Sequence, residues 1–161
     1  MKKVIRIIIP VVLVAILYVL FHNYLPPYST IKSARNNSGL KLAKDLFIVK
    51  DTSAFSFTGE GYSETILSLD ENQYKLLLNK NKLEEFKALP ISEKLPPTLP
   101  EYFYAFMERD SLKKYYNEVP SRISGEISGF YSLDYSTKNE SYKLTVIDGS
   151  KYQVLIYSFY D

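Results

Sequence analysis

The longest apolar stretch of the chain covers residues 4–25, and residues 7–21 within it carry no charge. A helix needs roughly 20 predominantly apolar residues to cross the hydrocarbon core of a bilayer, so this stretch is long enough for one span. The pattern therefore predicts one transmembrane helix at the start of the chain, in contact with the lipid bilayer through residues 4–25.

Basic residues give this helix a predicted orientation. Lys2, Lys3 and Arg6 precede the uncharged residues 7–21, and clusters of this kind are retained in the cytoplasm. A cleaved signal peptide is the alternative, but the sequence FHNYLPP at 21–27 has no pair of small residues at cleavage-site spacing. We expect residues 1–25 to be a cytoplasmic start and an uncleaved anchor of a single-pass cell-membrane protein, with the C-terminal part extracytoplasmic.

The chain after the anchor divides into a polar part and a patterned part. Residues 26–45 are mainly polar and predict a stalk, with a short helix over Leu40 to Asp45. Residues 46–161 alternate between apolar and polar positions and predict one extracytoplasmic domain.

Alternation with a period of two predicts five strands. An N-terminal hairpin is expected from Phe47 onward, with a turn at Gly59-Glu60-Gly61 and a return strand over Tyr62 to Leu69. A three-stranded meander is expected over residues 127–135, 142–147 and 152–160. Asp148-Gly149 predicts a type I′ turn between the last two strands. The last of these strands is apolar on both faces, which favours a central position in a sheet.

Helical spacing separates the two groups of strands. Asp70 is a predicted N-cap for a helix whose apolar stripe is Tyr74, Leu77 and Leu78. A second helix is predicted from Pro100 to about Asn117. The expected fold class is therefore α+β, an antiparallel sheet packed by two or three helices.

Composition removes several kinds of chemistry. The chain has no Cys and one His, and that residue, His22, lies at the predicted membrane edge. Thiol nucleophiles, thiolate metal sites and His-based triads are therefore not expected in the outer domain. Without Lys2, Lys3 and Arg6, 17 basic residues remain against 18 acidic ones, a formal charge of −1. A nucleic-acid partner is not expected from that balance, and we expect no metal and no cofactor.

The candidate binding residues are one turn carboxylate and a set of tyrosines. Glu60 lies between two glycines at a loop tip, where contact with a partner is common. A tyrosine-rich sheet face can bind a peptide or a sugar, although packing against helices explains the same pattern. The tyrosines selected are Tyr62, Tyr131, Tyr135, Tyr142 and Tyr152.

The stretch from Asp51 to Tyr62, DTSAFSFTGEGY, resembles a recurring segment of small, uncharacterised membrane-anchored extracytoplasmic proteins of low-GC Gram-positive bacteria. In that group the segment reads D-S/T-H-G-G-F-H-G-D-G. Here Ser53 and Ala54 fall at its first His-Gly, and neither histidine is present. The resemblance implies a membrane location, and any metal or acid/base role of those histidines is lost.

These observations predict a binding protein rather than an enzyme, with no catalytic residue. A secreted protein is the expected partner, which the domain would neutralise or dock as membrane-anchored immunity proteins do. One alternative is a carboxylate-dependent hydrolase of cell-wall material, in which Glu60 or Glu64 would pair with Asp51 or Asp70 within about 5–10 Å. The other alternative is an accessory subunit of a membrane complex.

Overall fold

The computed structural model describes residues 9–19, 28–57, 59–96, 98–116, 127–136 and 140–161. The helices are α1 (9–19), α2 (Tyr28–Ser38), α3 (Glu71–Lys80) and α4 (Arg109–Tyr115), with 3-10 turns at Leu83–Glu85 and Glu101–Phe106. The strands are β1 (Phe47–Phe55), β2 (Gly61–Ser68), β3 (Lys87–Ala88), β4 (Gly129–Ser136), β5 (Ser141–Asp148) and β6 (Gln153–Tyr160). The domain is α+β, as the sequence predicts.

The strands form one six-stranded antiparallel sheet in the order β1-β2-β6-β5-β4-β3. The predicted hairpin and the predicted meander are therefore joined, because β2 pairs with β6 from Gly61↔Tyr160 to Ser68↔Gln153. The central position expected for the last strand is confirmed. Val154, Leu155, Ile156 and Tyr157 of β6 are all buried, because both faces of the sheet are covered.

Two separate apolar clusters cover the two faces. On one face, the described parts of segment 91–116 pack over β4, β5 and β6. The other face is here called the second face. It is covered by α2, α3 and the residues around Leu42, which pack over β2, β5 and β6. The predicted N-cap of α3 is confirmed: Asp70 Oδ1 accepts a hydrogen bond of 2.8 Å from the backbone of Gln73, whose side chain bonds back to Asp70.

The described part of the predicted stalk belongs to the folded domain. Residues 28–38 are helical, and Leu40 to Asp45, the predicted short helix, has no helical structure. Ile31 and Ala34 of α2 are 1% exposed, and Leu42 is also buried. These side chains complete the cluster on the second face, so the segment packs against the sheet.

The single helix predicted from Pro100 is interrupted in the structure. A 3-10 turn ends at Phe106, and α4 begins only at Arg109. Between them the backbone is extended, because Ile91 donates to the Phe106 carbonyl and accepts from the Glu108 amide, each at 2.8 Å. Tertiary pairing therefore overrides the local helical pattern, and the predicted end at Asn117 lies outside the described residues.

The turn between β5 and β6 is not the predicted type I′ turn. Its strand ends are Asp148 and Gln153, so four residues connect them. Asp148 Oδ1 accepts hydrogen bonds from the Ser150 amide at 2.8 Å and the Ser150 hydroxyl at 2.6 Å. Tyr152, rather than the glycine, has the positive φ of 50°. The Asp148 side chain therefore organises the turn in place of a two-residue loop.

The N-terminal helix α1 has exposed side chains throughout its described length, 9–19. Its large apolar side chains are 45–66% exposed. Among the described residues, no helix combines the length and the apolar character needed to cross a bilayer.

Candidate functional site

Three candidate tyrosines form a row with Phe159 across one face of the sheet, here called the aromatic face. Tyr62 pairs with Phe159, Phe159 with Tyr142, and Tyr142 with Tyr135. Cross-strand partners project from the same face of a sheet, so the four rings lie side by side. Tyr142 and Phe159 stack with ring centroids 5.5 Å apart.

Segment 91–116 covers most of the aromatic face. Tyr131 is 2% and Tyr142 is 3% exposed. The Tyr142 hydroxyl shares a hydrogen bond of 2.7 Å with Thr98, and burial raises the pKa of Tyr142 well above its ordinary value. Both side chains are core residues, because the covering segment occupies the surface that a partner would need.

The candidate residues that are less deeply buried than Tyr131 and Tyr142 lie apart from each other. Tyr62 is half-buried and stacks on Tyr157 at 5.8 Å, and Tyr135 is half exposed at the end of the row. Tyr152 lies in the β5–β6 turn, against the Tyr74 ring at 5.1 Å. Glu60 is exposed in the β1–β2 turn. The structure therefore does not gather these residues into one surface.

An ionic cluster around the buried Glu64 side chain joins β1, β2 and segment 91–116. The Glu64 side chain is only 4% exposed and accepts a salt bridge of 2.8 Å from Lys50. Tyr102 donates a hydrogen bond to the same carboxylate oxygen. The pKa of Tyr102 is raised well above its ordinary value, first by burial and then by this hydrogen bond. The cluster compensates the charge of Glu64 and fixes the edge strand to the covering segment.

The sheet separates two of the carboxylates, Asp51 and Glu64, that the hydrolase alternative would pair. Asp51 pairs with Thr65 and shares its face, whereas Glu64 projects from the opposite face beside Tyr62. Asp70 caps α3 and bonds to Gln73. Asp51 therefore cannot form an acid/base couple with Glu64 across this sheet.

A groove of about 560 Å³ lies between α2 and the second face, and the sequence did not predict it. Its lining is dominated by hydroxyl groups, with one amide, one carboxylate and two aromatic rings: Ser29, Thr30, Ser33, Asn37, Asp51, Ser53, Phe55, Gly59, Ser63, Thr65 and Tyr160. We call it the hydroxyl groove. Its volume lies within the range of about 300–1,000 Å³ that is typical of ligand clefts.

Hydrogen bonds from both walls meet at Asp51. Its Oδ2 accepts from the Thr30 hydroxyl of α2 at 2.5 Å, and its Oδ1 accepts from Thr65 at 3.4 Å. At the other end, the Asn37 amide donates to Ser63 at 3.4 Å. A sequence signal for the groove exists: Ser and Asn recur every four residues on α2, and polar residues alternate on β1 and β2.

The first strand provides another open feature. β1 is an edge strand, and every side chain in it except Ile48 is exposed. Phe47 is 71% exposed, and Phe57, two residues beyond the strand, is fully exposed. Exposed aromatic side chains therefore occur at both ends of an edge whose backbone is available for pairing.

Within the part of the chain that the structure describes, no group of three or more His, Cys, Asp and Glu residues could hold a metal ion. Comparisons with protein-family models, with curated proteins and with solved structures found no match. The groove, the edge strand and the apolar N-terminus are therefore the features that bear on function.

Proposed function

We propose that this protein is a membrane-anchored, extracytoplasmic binding protein whose domain docks a protein partner through the edge strand β1. The observation that carries the proposal is the exposure of this nine-residue strand, with Phe47, Val49 and Phe55 all at least half exposed. Strand addition to such an edge is a recurrent mode of protein recognition, because backbone hydrogen bonds give affinity and side-chain contacts give specificity.

The register identifies the backbone groups that a partner strand would meet. The Ser56 amide donates to the Glu60 carbonyl at 2.7 Å, which makes these residues a hydrogen-bonded pair. Such pairs alternate along an antiparallel ladder, so Ala54 is also bonded to β2. Ser53 and Phe55 therefore direct their amide and carbonyl groups away from β2, towards the open edge.

The usual protection of an edge strand is reduced here. Exposed lysines and bulges normally discourage pairing with another chain. β1 has a register shift between Ile48 and Lys50, but the Lys50 ammonium is turned to the buried Glu64. Beyond the shift, residues 51–55 continue in regular register. This stretch suits an extended segment of a partner.

The anchor is supported by the pattern of exposure. The described side chains of α1 are exposed and apolar, which is unfavourable in water and suits a lipid environment. Alkaline carbonate extraction should leave the full chain in the membrane pellet, and protease added outside intact cells should degrade the domain. Release by carbonate, or protection from external protease, would contradict the proposed placement.

A single substitution tests the edge. Ser53→Pro removes an amide that faces outward, so it should block strand addition while leaving the β1–β2 ladder intact. Ser53→Ala is the matched control, because it retains the amide. We expect the full chain and Ser53→Ala to capture the same stoichiometric secreted protein, and Ser53→Pro to lose it.

The biological role proposed for this docking is neutralisation of a secreted toxin. Cells that express the full chain should survive a toxin encoded beside its gene, and cells that express Ser53→Pro should not. Equal survival with Ser53→Pro would show that protection does not use the β1 edge. Absence of protection by the unsubstituted chain would contradict the immunity role.

A further inference from the structure

The hydroxyl groove has the composition of a site for a neutral, polyhydroxylated ligand. Among its described lining residues, Asp51 is the one carboxylate and no basic side chain is present. The carboxylate disfavours anions such as phosphate. Hydroxyl side chains can each donate and accept, so they match ligand hydroxyls whose orientation varies around a ring.

The groove also presents an apolar surface beside its polar walls. The rings of Phe55 and Tyr160 lie with centroids 6.0 Å apart, tilted by 45°. Phe55 lines the groove and is 51% exposed, so a ligand can reach it. A pyranose ring has one face of C–H groups and a rim of hydroxyls, so it needs aromatic and polar contacts together. This groove supplies both within one cleft.

The polar contacts already present fix the shape of the groove. Thr30 and Thr65 both donate to Asp51, and Asn37 bonds to Ser63 on one side and accepts from Tyr160 at 3.5 Å on the other. The contacts at 3.4–3.5 Å are long, so they exchange readily for hydrogen bonds to a ligand. The two threonines share the Asp51 carboxylate, which makes it a poorer partner for an ammonium group than an unshared carboxylate would be.

A buried hydroxyl lies on the same face of the sheet as the groove. Ser158 of β6 pairs with Ser63, which lines the groove, and Ser158 is fully buried. Its Oγ has no hydrogen-bond partner among the described residues. Ser158 does not line the groove, so its hydroxyl lies beneath the cleft rather than within it.

From these observations we infer that the hydroxyl groove binds a neutral saccharide, with Phe55 and Tyr160 against its apolar face and Asn37 and Asp51 bonded to its hydroxyls. The groove and the β1 edge share Phe55, but a saccharide would contact side chains over the face of the sheet, whereas a partner strand would pair with the β1 backbone. A free oligosaccharide and a strand of a polymer such as cell-wall glycan share this chemistry.

The test is isothermal titration calorimetry of the full chain, purified in a detergent without a sugar headgroup. The probes are the tetrasaccharide of N-acetylglucosamine, 1,5-diaminopentane and inorganic phosphate. We expect binding of the tetrasaccharide alone. Absence of tetrasaccharide binding, or binding of only the diamine or only phosphate, would overturn the inference.

Matched variants localise the binding. Ser33→Leu fills the groove from an exposed position on α2, and Asn36→Leu places the same side chain on that helix outside the groove. We expect Ser33→Leu to weaken tetrasaccharide binding at least about tenfold and Asn36→Leu to leave it within about twofold. Equal affinity of the two variants would show that the sugar binds elsewhere.

A second pair of variants tests the aromatic contact. Phe55→Ala should weaken binding about tenfold, and Phe47→Ala, on the same strand but outside the groove, should not. Far-UV circular dichroism checks that each variant is folded. Co-sedimentation with insoluble chitin then distinguishes the two sources of ligand. If the protein binds the tetrasaccharide and also sediments with chitin, the groove accepts a polymer strand. If it binds the tetrasaccharide but stays in solution, the groove accepts only a free oligosaccharide. Sedimentation that Ser33→Leu leaves unchanged would overturn the assignment to this groove.

Discussion

Removal of the Lys50 ammonium should destabilise the domain far more than removal of a surface lysine. Lys50→Met keeps most of the apolar stem but leaves the Glu64 carboxylate, 4% exposed, with Tyr102 as its remaining partner among the contacts described. Breaking a fully buried ion pair costs about 3–5 kcal/mol. Because Lys50 itself is 44% exposed, water can reach part of this cluster, and we expect about 2–3 kcal/mol.

The assay is urea denaturation of the full chain followed by far-UV circular dichroism, with linear extrapolation to water. Lys75→Met is the matched control, since Lys75 bonds to Glu71 at only 2.6 Å but both side chains are at least 60% exposed. Its expected cost is below about 1 kcal/mol. The double variant Lys50→Met/Glu64→Met should recover most of the loss, because no uncompensated charge stays buried.

Two results would refute this reasoning. If Lys50→Met lowers the free energy of unfolding no more than Lys75→Met does, burial of Glu64 does not determine how much the Lys50–Glu64 pair stabilises the domain. If the double variant is as unstable as Lys50→Met, the loss arises from packing of the lysine stem rather than from a stranded carboxylate.

Three further predictions concern single positions. The pKa of Tyr102 is raised above its ordinary value of 10.0, so the unfolded state loses the phenol proton at lower pH than the folded state. The free energy of unfolding should therefore fall as pH rises above 10. In denaturation series across alkaline pH, Tyr102→Phe should make this fall shallower. Ser158→Ala should leave the free energy of unfolding unchanged or raise it by up to about 1 kcal/mol, because it removes an unpaired buried hydroxyl; a clear loss would contradict the absence of a partner. Gly61→Ala should cost more than about 2 kcal/mol in the same urea assay, because φ is +151° and a Cβ would lie 2.0 Å from the Ala54 carbonyl oxygen; a cost below that would contradict this geometry.

Local sequence signals predicted much of the sheet and one helix. β6 is apolar on both faces and lies in the centre of the sheet, and Asp70 caps α3 as its side-chain chemistry requires. These features depend on residues close together in the chain. Period-two alternation and capping are local effects, which is why the sequence reveals them.

Features that depend on distant residues were not predictable. The break between Phe106 and Arg109 depends on pairing with Ile91, and α2 joins the core through Ile31 and Ala34 although its remaining surface is polar. The hydroxyl groove combines side chains of α2 with those of two strands and the C-terminal Tyr160. Its periodic Ser and Asn residues indicate an exposed polar face until the packing of α2 over the sheet is known.

Site-specific photo-cross-linking in living cells tests the docking claim most directly. A photoreactive residue at Val49 or Phe57 reports on the β1 edge, and one at Leu76, an exposed position on α3, is the control. We expect Val49 and Phe57 to give the same single cross-linked protein and Leu76 not to give it. Capture of that protein from Leu76 with equal yield, or no cross-link from Val49 and Phe57, would contradict docking through β1.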